Sequence, residues 1–291
     1  MERAWTLEES LAYTRWLATH HYENFQVVSF LLPKRLHKDF YNVYSFCRWA
    51  DDLGDEIGDT AESLRLLAWW RAQLEAMFAG EAPHHPVFVA LQGTIDRCQT
   101  PISPYADLIT AFEQDQTVTR YPDFEQLFDY CRYSANPVGR LVLNLCGYRD
   151  EERYALSDAT CTALQLANFW QDVTVDLQKD RVYLPLGLLE SHGYPVEALF
   201  ERRFDDRFRA AMREAVEIAR ALFIKGLPLA DRVDRRLSID LELFSRGGMR
   251  VLEKIEQQDY DVLTSRPSVS KLERVGLLIG ALRRRAFVRA A

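Results

Sequence analysis

Two stretches of this sequence place aspartates four residues apart within otherwise apolar surroundings. The first contains Asp51 and Asp55, and the second contains Asp172 and Asp176. Residues four apart share one face of an α-helix, where like charges destabilise the helix. A multivalent cation would remove this repulsion, and hard oxygen ligands indicate Mg²⁺, which characteristically sits between carboxylates and substrate phosphates. We therefore expect these four aspartates to hold Mg²⁺.

The first pair belongs to a longer stripe along one predicted helix. The stripe has steps of three, four, three and four residues, and its members are Tyr41, Tyr44, Arg48, Asp51 and Asp55. A face that mixes tyrosine, arginine and aspartate is not an ordinary core face. The alternative is a solvated surface with ion pairs to Arg48, since most charge runs are solvated. The sequence of this helix alone leaves both interpretations open.

The second pair lies in a similar run, in which polar side chains recur every three or four residues. Its members are Gln165, Asn168, Asp172, Asp176 and Asp180, with Lys179 and Arg181 close in sequence. The intervening residues are mostly apolar, so we expect one long helix that is deeply buried. Buried carboxylates without a counter-charge are too costly to retain. A functional site is therefore favoured over a solvated face here.

Paired carboxylate faces suit the departure of a diphosphate leaving group. Mg²⁺ neutralises the phosphate oxygens while the carbon–oxygen bond breaks, and nearby cations assist. The carbocation that remains requires a dry, aromatic cavity, and the chain has 16 Phe, 13 Tyr and 6 Trp to line one. The segment from Tyr130 to Arg140 suits the cavity wall, because Asn136-Pro137 opens the helical backbone there. The alternative is a purely structural kink.

Composition predicts one all-α domain covering residues 1–291. Of the 291 residues 48% are apolar, and 13 Gly and 11 Pro are few for a turn-rich fold. The net charge of −7 argues against nucleic-acid binding. We find no linker or internal repeat. Helical periodicity covers residues 7–19, 36–57, 61–78, 87–98, 105–119, 124–146, 157–177, 204–225, 232–258 and 271–285.

Cysteine usage and the N-terminus predict a cytoplasmic protein. The five cysteines form no CxxC pair, and several lie in apolar runs, so buried free thiols in a reducing compartment are expected. The N-terminus lacks an apolar signal core, and no apolar stretch approaches the roughly 18 residues that span a bilayer. We expect a cytoplasmic protein that is at most peripheral to a membrane.

Taken together, these motifs resemble the squalene/phytoene synthases. The resemblance rests on Tyr44 through Glu56, Asn168 through Asp176, and Asp180 through Pro185, and it extends from Asn24-Phe25 to about Lys271. It implies an isoprenoid synthase fold whose helices surround a central cavity, with the two acidic faces opposed across it. It also implies Mg²⁺ and a prenyl diphosphate substrate.

Local features are similar to one branch of this family, which belongs to the bacterial hopanoid pathway. They are the runs Glu23-Asn24-Phe25, Ser134 through Gly139, and Phe169 through Val173, in which Gln171 replaces a usual arginine. This likeness implies that presqualene diphosphate and water become hydroxysqualene and diphosphate. No NADPH is then expected, in agreement with the lack of a GxGxxG run.

Other interpretations remain open from the sequence. Within the same class, the enzyme would condense two farnesyl diphosphates head to head into presqualene diphosphate or dehydrosqualene. Outside it, an inactive helical adaptor or a purely structural bundle would leave the paired aspartate faces unexplained. The expected partners are the prenyl diphosphate substrate, a membrane surface contacted peripherally, and the presqualene diphosphate synthase as the source of substrate. Nucleic acid is not expected.

The resemblance also assigns roles to individual residues, in addition to the four metal ligands. Catalytic roles are expected for Tyr44, Arg48, Tyr130, Asn136, Gln171 and Tyr183. Among these, Asn136 and Gln171 are the candidates for delivering water. Asp180 would assist the metal ligands. Substrate contacts are expected from Asn24, Phe25, Tyr41, Arg48, Gln165, Asn168, Lys179, Arg181 and Tyr260.

Overall fold

The computed structural model of the chain describes residues 4–20 and 33–287, and the predicted all-α class is confirmed there. Within these ranges no β-strand occurs, and the backbone forms a single isolated bridge between Arg120 and Val182. The α-helices, α1 to α14 in chain order, are Leu7–His20, Lys34–Asp55, Thr60–Phe78, Pro86–Cys98, Ser103–Gln114, Phe124–Ser134, Asn136–Leu145, Glu151–Gln171, Val173–Asp176, Leu186–Ser191, Glu197–Phe200, Asp206–Gly226, Arg235–Gln257 and Lys271–Phe287.

The chain divides into two compact units, and the first consists of residues 1–117 and 137–154. Its central element is α2, which packs against α1, α3, α4 and α5. The fully buried Phe46 of α2 lies 5.6 Å from the Trp70 ring, 5.9 Å from that of Phe88 and 5.1 Å from that of Tyr105, centroid to centroid. Aromatic rings bury more apolar area than other side chains, so this cluster anchors α2 firmly.

A buried polar network fixes how α2 is rotated in the first unit. Asn42 donates to the carbonyl of Ala90 and to the hydroxyl of Thr94, both at 3.0 Å, and accepts from the hydroxyl of Thr14 at 2.7 Å. Any rotation of α2 would leave these buried groups unpaired, at a cost of about 1–3 kcal/mol each. The network therefore fixes the direction in which the aspartate-bearing face of α2 points within the first unit.

The second unit consists of residues 118–136 and 155–291. Here α12 packs against α13, and α13 packs against α14. A side chain at Gly248 would collide with the ring of Phe223 and approach Leu164 to 2.9 Å, so only glycine allows α8, α12 and α13 to meet this closely. The indole of Trp170 also donates to the carbonyl of Ala215 at 3.1 Å. These contacts hold the C-terminal end of α8 in place.

Several local predictions are confirmed, and others are wrong. Thr6 and Glu9 form a capping box at the start of α1, with the Glu9 N–H donating to the Thr6 hydroxyl at 3.2 Å. The run at Asn136-Pro137 does interrupt its helix, since α6 ends at Ser134 and α7 begins at Asn136. The helix predicted to begin at residue 157 begins earlier, because α8 starts at Glu151 and Ser157 is buried within it. The short helices α10 and α11 were not predicted.

Three further predictions concern the chain as a whole. All five cysteines are free thiols, as expected, and burial raises the pKa of Cys131 to about 12. None of the described helices combines the length and hydropathy needed to cross a bilayer. The single domain covering residues 1–291 stays a prediction.

His85 makes the stability of the first unit depend on pH. Its ring lies 4.6 Å from that of Trp49, 5.0 Å from Trp70, 5.9 Å from Trp69 and 6.1 Å from Phe88. Burial among these apolar rings disfavours the charged imidazolium and lowers the pKa of His85 from 6.5 to about 4. In the unfolded chain the ring is exposed to water and becomes protonated near its ordinary pKa of 6.5.

The stabilisation is therefore complete above pH 6.5 and is lost as pH falls toward 4. It amounts to about 3 kcal/mol at most. We expect His85→Asn, which keeps a side-chain acceptor at the start of α4, to flatten this part of the stability profile. Urea unfolding across the same pH range measures the effect. Equal slopes in the variant and the parent protein would contradict it.

Candidate active site

The first acidic patch, consisting of Asp51, Asp52, Asp55 and Glu56, lies at the C-terminal end of α2. The guanidinium of Arg48 contacts Asp51 at 3.1 Å, Asp52 at 2.6 Å and Glu56 at 3.9 Å. The Arg48 side chain is only 19% exposed, whereas Asp55 is exposed. Carboxylates at a helix C-terminus also face the negative end of the helix dipole. Arg48 thus pairs with three of these acids, and the cluster of carboxylate oxygens is of a kind that a cation can bind.

Neighbouring aromatic residues fix the position of this patch. The Trp49 indole donates to the hydroxyl of Tyr13 at 2.9 Å and stacks on Trp70 at 5.6 Å. Burial raises the pKa of Tyr13, and the negative charge of Asp52 raises it further. Tyr41 and Tyr44 are half-buried on the same helix as Arg48, as the predicted stripe requires.

The second acidic patch, consisting of Asp172 and Asp176, lies where α8 ends. The prediction of one helix continuing through these residues is wrong, because α8 stops at Gln171 and a short helix, α9, follows from Val173 to Asp176. The break falls at Asp172, whose backbone departs from helical geometry with φ of −105° and ψ of 14°. The shared helical face therefore does not extend to Asp180.

Asp180, which was expected to assist the metal ligands, pairs with Arg120, and its auxiliary role stays a prediction. It has a left-handed backbone conformation with φ of 54°, and its carboxylate is 74% exposed. Arg120 donates to that carboxylate at 2.5 Å and also to the Asp180 carbonyl. Asp180 lies beyond the end of α9, so the four-residue spacing does not place it on the helical face of Asp172 and Asp176.

Asp176 is the most perturbed carboxylate of the second patch. Burial raises its pKa to about 7, and the nearby charge of Asp172 contributes in the same direction. Arg181 and Lys179 oppose the shift without cancelling it. Two aspartates with incomplete compensation fit a divalent cation, which would favour their ionised forms.

A metal bound at either patch would need ligands from outside the protein. Within each unit, no three Asp, Glu, His or Cys side chains among the described residues converge as a ligand group. Mg²⁺ usually keeps several waters and binds through one or two carboxylates together with substrate phosphates. The oxygen donors present are of the type that Mg²⁺ prefers, so both patches fit it, and the four ligand assignments stay predictions.

A strap at Arg266 and Pro267 holds the second patch, and the sequence analysis missed it. Arg266 binds the Asp172 carboxylate with two nitrogens, its Nη2 at 3.2 Å from Oδ2 and its Nε closer to Oδ1. The Gln171 amide donates to the Pro267 carbonyl at 2.6 Å. Both bonds join residues far apart in sequence, so no local pattern could reveal them. Arg266 supplies the positive charge that the local sequence lacks at position 171.

The second unit also contains an aromatic cluster, which consists of Tyr121, Tyr130, Phe169 and Tyr183. In the sequence, Phe169 precedes Asp172 of the second acidic patch by three residues. Phe169 stacks on Tyr183 with ring centroids 3.6 Å apart and planes 6° apart. Tyr130 lies 6.1 Å from Tyr183 and 5.4 Å from Tyr121. The structure thus brings together Tyr130 and Tyr183, to which the resemblance assigned catalytic roles, and these roles stay predictions. Tyr121 was missed because the bridge between residues 120 and 182 places it there.

The remaining predicted residues have varied surroundings. Asn136 is buried, and its Oδ1 accepts from the Thr162 hydroxyl at 3.0 Å. Gln165 is half-buried on α8, whereas Asn168 is exposed. Tyr260 has φ of 64° and packs under the guanidinium of Arg213 at 5.4 Å. The two predicted substrate contacts near the N-terminus, Asn24 and Phe25, lie outside the described residues.

Comparison with known proteins identifies the family and the fold of the chain. The sequence model of the squalene/phytoene synthase family matches residues 18–273. Hydroxysqualene synthase of Rhodopseudomonas palustris is 32% identical over 268 residues, covering 91% of this chain and 89% of that protein. The structure of squalene synthase HpnC from Alicyclobacillus acidocaldarius has a TM-score of 0.83 at 45% identity, covering 87% of this chain and 95% of that one. A dehydrosqualene synthase solved with a ligand has a TM-score of 0.85 at 24% identity, covering 98% of both chains.

The fold is therefore that of the helical isoprenoid synthases, as the sequence predicted. Within that class, the chain belongs to the squalene/phytoene synthase family. The prediction that it is an enzyme is confirmed, and it resembles the hydroxysqualene synthases over most of its length.

The strap predicts an energetic coupling between Arg266 and Asp172. We expect a double-mutant cycle with Arg266→Gln and Asp172→Asn, measured by urea unfolding in the presence of a chelator, to give a coupling of about 1 kcal/mol. The two-nitrogen contact and the low exposure of Asp172, 15%, set this expectation. The exposed pair of Arg65 and Glu62 serves as a control and should give a clearly smaller coupling, because solvent screens it. Equal coupling in both pairs would contradict the assignment.

Proposed function

We propose that this enzyme converts presqualene diphosphate and water into hydroxysqualene and diphosphate, with Mg²⁺ bound at the acidic patches. The observation that carries the proposal is the order of groups at the end of α8. Phe169 belongs to the aromatic cluster, Asp172 belongs to the second acidic patch, and the neutral amide of Gln171 lies between them. A carbocation, a water molecule and a leaving diphosphate each have a suitable neighbour within four residues.

The acidic patches and their neighbouring cations would receive the diphosphate. When bound, Mg²⁺ at Asp51, Asp55, Asp172 and Asp176 supplies positive charge that neutralises the phosphate oxygens. Arg48, Lys179 and Arg181 are placed close to these aspartates and would donate to the same group. The bond between the substrate carbon and the diphosphate oxygen breaks, and the oxygen keeps the electron pair.

The aromatic cluster would stabilise the cation that remains. The faces of aromatic rings carry partial negative charge and attract a cation without reacting with it. The close stack of Phe169 on Tyr183 also keeps this wall dry. The cation therefore survives long enough to rearrange before water captures it.

Gln171 is our first candidate for placing that water. Its amide nitrogen is committed to the Pro267 carbonyl, and no described residue donates to its Oε1. This oxygen can accept a hydrogen bond from water and aim the water lone pair at the cation, and the surplus proton passes to solvent. Asn136, whose Oδ1 is already engaged by Thr162, is the second candidate. Water supplies the final bond, so the reaction requires no hydride and no NADPH.

The acidic patches would serve equally well in head-to-head condensation of two farnesyl diphosphates. That alternative gives presqualene diphosphate or dehydrosqualene, and it also begins with the loss of a metal-bound diphosphate. The neutral residue at position 171 is the feature that favours water capture over this alternative.

We further propose that the enzyme works at a membrane surface on the cytoplasmic side. Its substrate and product are long hydrocarbons with little solubility in water, so they partition into the bilayer. Direct handover from the synthase that makes presqualene diphosphate would serve the same purpose. The cytoplasmic location and the handover partner stay predictions.

Product analysis tests the proposed reaction. Purified enzyme with Mg²⁺ and without NADPH receives presqualene diphosphate in one reaction and farnesyl diphosphate in another. We expect hydroxysqualene from the first and no C30 product from the second. Consumption of farnesyl diphosphate to a C30 product would move the enzyme to the condensing branch of the family.

Replacing Gln171 tests the role of its amide. We expect Gln171→Leu to keep releasing diphosphate while hydroxysqualene falls roughly tenfold or more in favour of dehydrated hydrocarbons, because the cation forms but captures water poorly. The control is Gln178→Leu, since Gln178 is exposed on a neighbouring turn. If diphosphate release and hydroxysqualene formation fell by the same factor in the Gln171 variant, the result would contradict a role of Gln171 in placing water.

A further inference from the structure

The outer face of the C-terminal helix α14 carries a stripe of apolar side chains in contact with solvent. The stripe consists of Leu272, Val275, Ile279 and Leu282, with exposed fractions of 84%, 53%, 46% and 36%. Steps of three, four and three residues align these side chains along one face. The helix has 17 residues, so it is about 25 Å long.

The opposite face of α14 is occupied by α13. Glu273 pairs with Arg250 at 2.5 Å and with Lys254 at 2.7 Å, both on α13, and Ala281 is fully buried. Near the C-terminal end of α14, Arg284 forms an ion pair with Glu242 of α13. The helix is therefore anchored to the second unit by one face, and the apolar stripe is not needed for that packing.

The charges beside the stripe are positive. Lys271, Arg274 and Arg283 are exposed, and among the described residues no carboxylate forms an ion pair with them. The acidic residue of the helix, Glu273, is turned inward and neutralised by α13. An exposed apolar face flanked by unneutralised cations is unexpected on a chain whose net charge is −7.

We propose that α14 is the membrane-binding surface of this enzyme and that its ligand is an anionic lipid bilayer. The apolar stripe would enter the boundary between headgroups and acyl chains, and the cations would bind the lipid phosphates. This surface deepens the membrane contact stated above and rests on the proposed function for the reason that the substrate is apolar. The family match ends at residue 273, so the inference comes from the helix itself.

A bilayer explains these observations better than a second protein copy does. A symmetric pairing of α14 helices would bring like charges together, because the cations flank the stripe and no acid on the same face could meet them. Anionic headgroups complement those cations directly. Apolar contact and charge together supply the two signals that stable binding to a bilayer requires.

The test is flotation of the full-length protein with two kinds of vesicle, one of phosphatidylcholine and one of phosphatidylcholine mixed with phosphatidylglycerol. We expect binding to the mixed vesicles, weakened by salt, and little binding to phosphatidylcholine alone. Leu272→Ser combined with Ile279→Ser should weaken binding roughly tenfold. Arg274→Gln combined with Arg283→Gln should have a similar effect, again roughly tenfold.

Matched controls exist within the same unit. Ile224→Ser removes an apolar side chain that is 56% exposed, and Arg235→Gln with Arg236→Gln removes the same charge as the test pair. Both controls should bind vesicles like the parent protein. Far-UV circular dichroism checks that every variant is folded. Diphosphate release from detergent-dispersed substrate should be unchanged in the α14 variants, which separates this proposal from the proposed reaction.

Two outcomes would overturn the proposal. The first is parent protein that floats with neither vesicle, or that binds both kinds equally well at high salt. The second is retention of binding in the α14 variants. Analytical ultracentrifugation adds a distinct result: a dimer that the stripe variants convert to monomer, with no vesicle binding, would assign the surface to a second copy instead.

Discussion

Repulsion between carboxylates held close together and partly away from water is the constraint on which this structure depends. In the second unit it is visible in Asp176, whose pKa rises to about 7 because burial and the charge of Asp172 both disfavour its ionised form. In the first unit, Asp51, Asp52 and Glu56 share the guanidinium of Arg48 at the end of α2. In the proposed function, a cation and the diphosphate of the substrate would relieve the repulsion that remains.

Much of the scaffold serves to hold these patches against their own repulsion. In the first unit, the ring cluster around Phe46 and the hydrogen bonds of Asn42 fix the rotation of α2. In the second unit, close packing at Gly248 and the hydrogen bond of the Trp170 indole hold the end of α8. Hydrogen bonds join Arg266 to Asp172 and Gln171 to the carbonyl of Pro267. The reacting groups therefore sit on rigid elements, as electrostatic preorganisation requires.

The sequence predicted the fold class, the main helices and the two acidic regions, because helical periodicity and repeated aspartates are local signals. It failed where distant contacts decide the structure. Asp180 kept the four-residue spacing, but it lies beyond the end of α9 and pairs with Arg120. Arg266 and Tyr121 adjoin the candidate site through pairings with residues far away in sequence, and local sequence patterns do not reveal such pairings. Ser157 has a capping side chain, but burial inside α8 overrides that preference.

Thermal unfolding with and without Mg²⁺ above pH 7 tests most directly whether the acidic patches bind Mg²⁺ to relieve their repulsion. More than half of Asp176 is ionised at a pH above its pKa of about 7. We predict that Mg²⁺ raises the melting temperature of the parent protein, raises it less for Asp176→Asn, and leaves Asp51→Asn combined with Asp176→Asn unchanged. Glu190→Gln, at an exposed acid outside both patches, should respond like the parent. A full Mg²⁺ response in the combined variant, or none in the parent, would contradict the account.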